Sequence, residues 1–171
     1  MAKTQATSST DDAQHRARLR EILDDAPAVL LTTRGRDRLH TRPMDLQRVD
    51  EDGTMYFSTS SETAKTWEIE ADPRVQIAFQ GKTRFAVVDG SARLVQDRAL
   101  VDELWKEDWK LWFPDGKSSP DIVIVVVEPE RGEYWDMSGA QGLSFLFRAA
   151  KAYLKGDGVE TRKEDHAKVR L

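Results

Sequence analysis

The sequence of 171 residues contains no cysteine, which excludes disulfide bonds, thiolate metal ligands and a cysteine nucleophile. Its longest apolar run covers residues 122–127, far fewer than the roughly 20 residues that a membrane-spanning helix needs. The first residues, MAKTQATSSTDDAQ, lack the apolar core of a signal peptide. These absences predict a soluble, cytoplasmic protein with no membrane partner.

Several signatures of catalytic and binding sites are missing as well. The histidines His15, His40 and His166 are widely separated and have no metal-ligand spacing. The sequence has no nucleophile elbow, dinucleotide-binding motif or P-loop, and no side chain stands out as a catalytic acid or base. Lys and Arg number 26 against 30 Asp and Glu, a net charge of −4, which disfavours nucleic-acid binding. We expect neither a metal hydrolase nor a triad enzyme.

The apolar pattern predicts a mainly β (α+β) fold. The length suits one domain, with residues 1–12 as a disordered tail and residues 13–171 as the folded part. Short strands need closure or packing to protect their edges, which favours a small barrel. Strands are predicted at residues 28–34, 39–49, 54–58, 74–80, 85–94, 121–128 and 131–136. Helices are predicted from near Thr10 and at residues 61–72, 97–111 and 143–154, and the charged tail from Gly156 is predicted to lie on the surface.

Residues 57–65, FSTSSETAK, lead from the end of a predicted strand into a predicted helix. Backbone N–H groups at a helix N-terminus, together with the helix dipole, favour an anion. Nearby hydroxyl groups and the Lys65 ammonium would complete a phosphate site. An ordinary serine-rich helix cap followed by a surface lysine is the alternative interpretation.

Residues 34–44, RGRDRLHTRPM, place basic side chains at alternate positions. A hairpin with a charged outer face explains them, and a nucleic-acid surface is disfavoured because no aromatic residues are interleaved. Arg42 is the better ligand candidate, because the following Pro43 lacks an N–H and weakens strand pairing there. Backbone groups left unpaired at this point could bond the edge of a planar ligand.

Trp105, Trp109 and Trp112 are spaced by four and three residues, which predicts one face of a helix. A core stripe is the usual explanation of such a pattern. A subunit interface and a lid over an aromatic ligand remain as alternatives.

The order of these segments resembles that of a known family. It runs R-P-M, a strand ending F-S-T, a hydroxyl-rich turn, an A-K helix and a D-P-R-V strand ending F-Q-G. This order is similar to that of the pyridoxamine-phosphate-oxidase-like flavin-binding split barrels. Residues 108–136, with W-F-P-x-G and Y-W-D, resemble the branch called bacterial general stress proteins. The resemblance covers residues 13–171 and implies an FMN-binding split β-barrel with flanking helices.

The resemblance also implies cofactor-binding positions. Arg42 would approach the flavin phosphate or ribityl chain, and Thr63 and Lys65 would hold the phosphate. The ring and ribityl chain would be bordered by the backbone of Pro43 and Met44 and by Phe57, Ser58, Thr59, Phe79 and Gln80. Such proteins usually form homodimers with flavin at the interface, so Trp109 and Trp112 would come from the second subunit.

The resemblance implies an FMN-dependent oxidoreductase that reduces a small molecule with a nicotinamide donor. Alternatives are a non-catalytic flavin-binding stress protein and a relative that binds a deazaflavin. Two departures argue against vitamin B6 oxidation. The oxidase turn carries an Arg-Lys pair, whereas Ala64 precedes Lys65 here, and the oxidase's C-terminal segment for the substrate phosphate has no clear counterpart.

Overall fold

Within residues 3–138 and 166–171, which a computed structural model describes, the chain forms eight strands and three α-helices. The helices are α1 (Lys3–Asp24), α2 (Ala64–Ala71) and α3 (Arg98–Leu104). The strands are β1 (Val29–Arg34), β2 (Leu39–Met44), β3 (Arg48–Val49), β4 (Met55–Ser60), β5 (Arg74–Gln80), β6 (Arg84–Val95), β7 (Ile122–Asp136) and β8 (His166–Arg170). Two 3₁₀ helices, Glu107–Leu111 and Gly116–Ser118, lie between α3 and β7.

The strands form one antiparallel sheet in the order β2-β1-β5-β6-β7-β4-β3, and β8 pairs with the C-terminal half of β7. The long strand β7 replaces the two strands that the sequence predicts on either side of Pro129. Its pairing register with β6 shifts at Gly90, where a Cβ atom would lie 2.3 Å from the carbonyl oxygen of Glu128. At this irregularity the close approach of the Glu128 carbonyl leaves room only for glycine, and β7 continues through it.

Both faces of the first half of β7 are buried, as its unbroken apolar run predicts. One face joins the main core, where Leu19 and Ile22 of α1 lie among the strands with Phe57 and Ile77. The other face joins a second apolar cluster, made by Val101, Leu104, Trp109, Phe113, Ile122, Ile124 and Val126. This second cluster holds the segment around Trp109 against the sheet.

Four predictions about local structure need correction. The strand predicted at residues 39–49 is split into β2 and β3 by a loop. The helix predicted at residues 97–111 ends at Leu104, because the backbone of Trp105 leaves the helical region with φ −55° and ψ 130°. The helix predicted to begin near Thr10 begins at Lys3. The C-terminal tail is not wholly a surface segment, because β8 joins the sheet and buries Val169.

Two other predictions concern the bounds of the domain and the last helix. The division into a tail of residues 1–12 and a domain of residues 13–171 stays a prediction. The helix predicted at residues 143–154 lies outside the described residues. Of the helices that are described, none is both long enough and apolar enough to cross a membrane.

Candidate functional site

A cavity of about 530 Å³ opens between the end of β2, the β4–α2 turn and the 3₁₀ helix at Glu107–Leu111. Its volume lies in the range that small-molecule and cofactor sites occupy. Its walls combine hydroxyl groups, one lysine and several large apolar side chains. The lining residues are Pro43, Met44, Asp45, Gln47, Ser58, Thr59, Ser60, Thr63, Lys65, Asp108, Trp109, Leu111, Trp112 and Phe113.

The hydroxyl-rich turn folds so that the start of α2 faces the cavity. Ser61 N–H donates to the carbonyl of Asp121 at 2.8 Å, which fixes the turn to the start of β7. Thr63 stands at the N-cap of α2, but its hydroxyl donates to the Ser60 carbonyl at 3.0 Å and makes no side-chain cap. The first N–H groups of a helix have no intrahelical partner. The N-terminus of α2 is therefore suited to an anion.

Lys65 lies in the first turn of α2 and is half-buried. Its Nζ donates to Thr59 Oγ1 at 2.9 Å, and among residues 13–138 no carboxylate forms an ion pair with it. Burial lowers the pKa of Lys65, the positive charge of Arg42 lowers it further, and Glu68 partly opposes them. A bound anion would relieve both the burial penalty and the repulsion, so this ammonium group is placed for a negatively charged ligand.

Arg42 lies beside the cavity rather than in its wall. Its guanidinium donates to Glu68 Oε2 at 2.9 Å and to the hydroxyl of Thr33. Glu68 also accepts hydrogen bonds from Thr33 and from Nδ1 of His40. Burial alone would raise the pKa of Glu68, but the hydrogen bonds from Thr33, His40 and Arg42 outweigh it and lower that pKa. Arg42 is thus held inside an ionised cluster close to Lys65.

The opposite wall of the cavity is aromatic and apolar. Trp109 is only 3% exposed, and its Nε1 donates to Gln47 Oε1 at 3.2 Å. Trp112 and Leu111 lie at the rim and are 78% and 83% exposed. The three tryptophans therefore do not share one helix face, because the chain leaves the α-helical path at Trp105.

The structure brings eight of the twelve proposed cofactor-binding residues into this cavity. They are Pro43, Met44, Ser58, Thr59, Thr63, Lys65, Trp109 and Trp112. Trp109 and Trp112, which were expected from a second subunit, line the cavity of their own chain. Arg42 lies beside them, and the side chain of Phe57 is fully buried in the main core. That these residues hold a flavin stays a prediction.

Phe79 and Gln80 lie elsewhere, in a second groove of about 440 Å³ on the sheet. This groove is mostly apolar, and its other lining residues include Leu30, Phe85 and Trp135. Within the described part of this single chain, the two borders expected for the flavin ring are therefore separated.

The sequence interpretation missed several residues of the cavity wall. Asp45 and Gln47 lie in the loop that interrupts the strand predicted at residues 39–49. The signal that could have identified them is the weak strand pairing expected after Pro43. Asp108 and Leu111 are brought to the cavity by the break after α3, which the helical spacing of the tryptophans concealed.

The comparisons with known proteins agree with this architecture. Residues 14–160 match the family model described as "Pyridoxamine 5'-phosphate oxidase like", so the chain belongs to this family of split-barrel proteins. The mainly β fold class predicted from the sequence is thereby confirmed.

Within the family, the chain is similar to general stress proteins. It is 34% identical over 116 residues to general stress protein 26 of Bacillus subtilis, covering 64% of this chain and 80% of that protein. A solved structure of a general stress protein 26 from Jannaschia sp. CCS1 matches with a TM-score of 0.72 and 27% identity, over 94% of this chain and 99% of that chain. A general stress FMN/FAD binding protein from Xanthomonas citri matches with a TM-score of 0.64 and 27% identity, over 73% and 90%.

Proposed function

We propose that this protein binds FMN in the cavity and, as a homodimer, uses it to reduce a small molecule with electrons from NADH or NADPH. The observation that carries the proposal is the pairing of an uncapped helix N-terminus with the half-buried Lys65 on the same cavity wall. The name of the Xanthomonas citri relative, an FMN/FAD binding protein, supports a flavin.

The phosphate end of the flavin would lie at the start of α2. A phosphate monoester carries a charge of about −1.5 to −2 near neutral pH. Lys65 would meet this charge directly, together with the N–H groups of α2, while Arg42 would add to the positive potential from beside the cavity. The hydroxyl of Thr63 would be a further polar contact. This end of the cavity therefore favours a ligand that carries a phosphate monoester.

The ring end would lie between the backbone at Pro43 and Met44 and the apolar wall at Trp109 and Trp112. A bound flavin supplies hydride and electron transfer, and the protein binds it, orients it and excludes water. Trp109 is fixed by its hydrogen bond to Gln47, which gives the ring a rigid wall. The exposed Trp112 could cover the ring at the rim.

The homodimer is proposed because two apolar surfaces of the single chain lie open. Leu111 and Trp112 are exposed at the cavity rim, and the second groove displays Phe79 and Phe85. In a twofold dimer, the rim of each protomer would pack against the second groove of its partner, so the same contact forms twice. Such a dimer would bring Phe79 and Gln80 of one protomer to the flavin of its partner.

The test is the visible absorbance spectrum of the purified protein, before and after FMN, NADH or NADPH is added. We expect the bands of oxidised flavin, their bleaching by the donor and repeated turnover with an added acceptor. Bound FMN that neither donor reduces would contradict the oxidoreductase and favour a flavin-binding stress protein. A chain that binds a deazaflavin but not FMN would assign the cavity to that cofactor. A chain that binds neither would contradict the proposal.

A further inference from the structure

The two walls of the proposed flavin site belong to two separate elements, the end strand β2 of the sheet and the helix α2. Pro43 and Met44 lie on β2, which stands at one end of the strand order and pairs with β1. Thr63 and Lys65 lie at the start of α2. A ligand that touches both walls needs a fixed spacing between them, so side chains that join β2 to α2 matter to the site.

Glu68 of α2 makes that connection. Its carboxylate accepts hydrogen bonds from His40 and Arg42, both on β2, and from Thr33 on β1. The guanidinium of Arg42 is shared between Glu68 and the hydroxyl of Thr33. Charge-assisted hydrogen bonds of this kind are stronger than neutral ones and fix geometry.

The cluster is largely buried and its hydrogen bonds are complementary. The side chain of Glu68 is 11% exposed. Arg38 Nε donates to His40 Nε2 at 2.9 Å, so Nε2 is an acceptor and the proton on Nδ1 is donated to Glu68. Removal of one member would leave buried polar groups without partners. The connection between β2 and α2 is therefore stiff.

We infer that Glu68 is a positioning residue, which sets the spacing between the ring wall at Pro43 and Met44 and the phosphate wall at Lys65. Pro43 follows Arg42 directly, and Lys65 lies one helical turn before Glu68. The ion pair thus joins the two walls through short covalent paths. This inference rests on the proposed function, because it concerns a ligand that spans both walls.

The sign of the effect separates positioning from a simple electrostatic role. Glu68 is negative and lies near Lys65, where the phosphate is proposed to bind. If Glu68 acted only through its charge, its neutralisation would strengthen the binding of an anion. If Glu68 positions the walls, its neutralisation weakens the binding of FMN. Lumiflavin, which has the ring and no ribityl phosphate, touches one wall and should be little affected.

The experiment compares Glu68→Gln with Glu70→Gln by titrating each flavin-free protein with FMN, riboflavin and lumiflavin. Glu70 is exposed on the same helix, so its variant changes the net charge equally. For Glu68→Gln we expect FMN to bind about tenfold more weakly, the size of one lost charge-assisted hydrogen bond. Lumiflavin binding and all Glu70→Gln affinities should stay near wild type. Unchanged or tighter FMN binding, or an equal loss for lumiflavin, would overturn the inference.

A second variant covers the case in which Glu68→Gln does not fold. Arg42→Lys keeps the positive charge but loses the two-pronged contact with Glu68 and Thr33. A loss of FMN affinity without a loss of lumiflavin affinity supports positioning, and unchanged FMN affinity contradicts it. In an Arg42→Gln background, Glu68→Gln should cause little further loss, whereas a full further loss would show that Glu68 does not act through Arg42.

Failure of the proposed function gives a different result. Wild-type protein that binds FMN no better than riboflavin contradicts the phosphate site itself. The connection is then decided by a double-mutant cycle of Arg42→Gln and Glu68→Gln on the thermal unfolding of the flavin-free chain. Additive effects would refute a fixed link between β2 and α2, and strong coupling would support it.

Discussion

At the α2 end of the cavity, polar side chains are held by partners in the same chain, whereas the rim at residues 111 and 112 exposes two large apolar side chains. Lys65 donates to Thr59, Thr63 to the Ser60 carbonyl, and Arg42 lies in the Glu68 cluster. Leu111 and Trp112 project into solvent. The first end is complete within one chain, and the second has the composition of an interface core.

This difference separates what each end can do alone. An anion site needs charge, N–H groups and a fixed geometry, which a single turn and its helix supply. A planar ring must also be shielded from water, and in the single chain the exposed Leu111 and Trp112 leave that end of the cavity open to solvent. Phe79 and Gln80, the other residues expected at the ring, lie in the second groove. We therefore predict that a single protomer recognises the phosphate and that the proposed dimer encloses the ring.

The largest expected effect is at the rim. Replacement of Leu111 and Trp112 together by Ser should weaken the proposed dimer about 30-fold or more, because buried tryptophans at interfaces commonly contribute 2 kcal/mol or more. Sedimentation velocity over a concentration series measures this change. Trp67→Ser is the matched control, since Trp67 is also exposed but lies outside the cavity lining. An unchanged sedimentation profile for the double variant would remove the rim from the interface.

The next effect is at the phosphate end. Lys65→Ala should weaken FMN binding by about tenfold or more, because a charge-assisted hydrogen bond contributes about 1.5–3 kcal/mol, and should leave riboflavin binding nearly unchanged. Titration by flavin fluorescence measures both affinities. Lys117→Ala removes a positive charge from an exposed pair with Asp102 and serves as the control. Equal losses for FMN and riboflavin would mean that Lys65 does not meet the phosphate.

The two ends also differ in how much of their structure could be predicted from the sequence. Residues 57–65 are contiguous, so a strand, a hydroxyl-rich turn and a helix start could be predicted from local signals. The apolar run at residues 122–127 likewise predicts a strand buried on both faces. The family resemblance then ordered these local pieces into a split barrel, which the match over residues 14–160 confirms.

The features that escaped prediction depend on packing between distant segments. Trp105 and Trp109 have helical spacing, but burial of Trp109 in the second cluster accompanies a break after Leu104. The role of Glu68 depends on β1 and β2 meeting α2, and no periodicity reveals that. The charged tail showed little apolar signal, yet β8 pairs with β7 through backbone hydrogen bonds that any side chain permits.

A smaller effect tests the support of Lys65. Thr59→Val removes the hydroxyl that accepts from Lys65 Nζ. Because this bond orients the ammonium and leaves its charge in place, its removal should cost FMN binding about 1 kcal/mol, less than the loss of the ammonium itself. We expect FMN affinity to fall about fivefold. Thr41→Val is the matched control, because its hydroxyl contacts Thr32 on exposed strand positions. If Thr59→Val binds FMN like wild type, the hydroxyl does not hold the ammonium in its binding position.

The smallest effect near neutral pH is the pH dependence of FMN binding. Burial and the nearby Arg42 lower the pKa of Lys65 in the free chain, and a bound phosphate should raise it again. The bound state then holds the proton more tightly, so this contribution to affinity is complete below the free-chain pKa. It is lost as the pH rises through the higher pKa of the complex. FMN affinity should therefore fall on the alkaline side in wild type.

Two controls should lack this fall: the riboflavin affinity of wild type and the FMN affinity of Lys65→Ala. Each of these complexes lacks one of the two paired charges. An alkaline fall of FMN affinity that persists in Lys65→Ala would assign the titration to another group. Lys65 would then not be the cation that pairs with the phosphate.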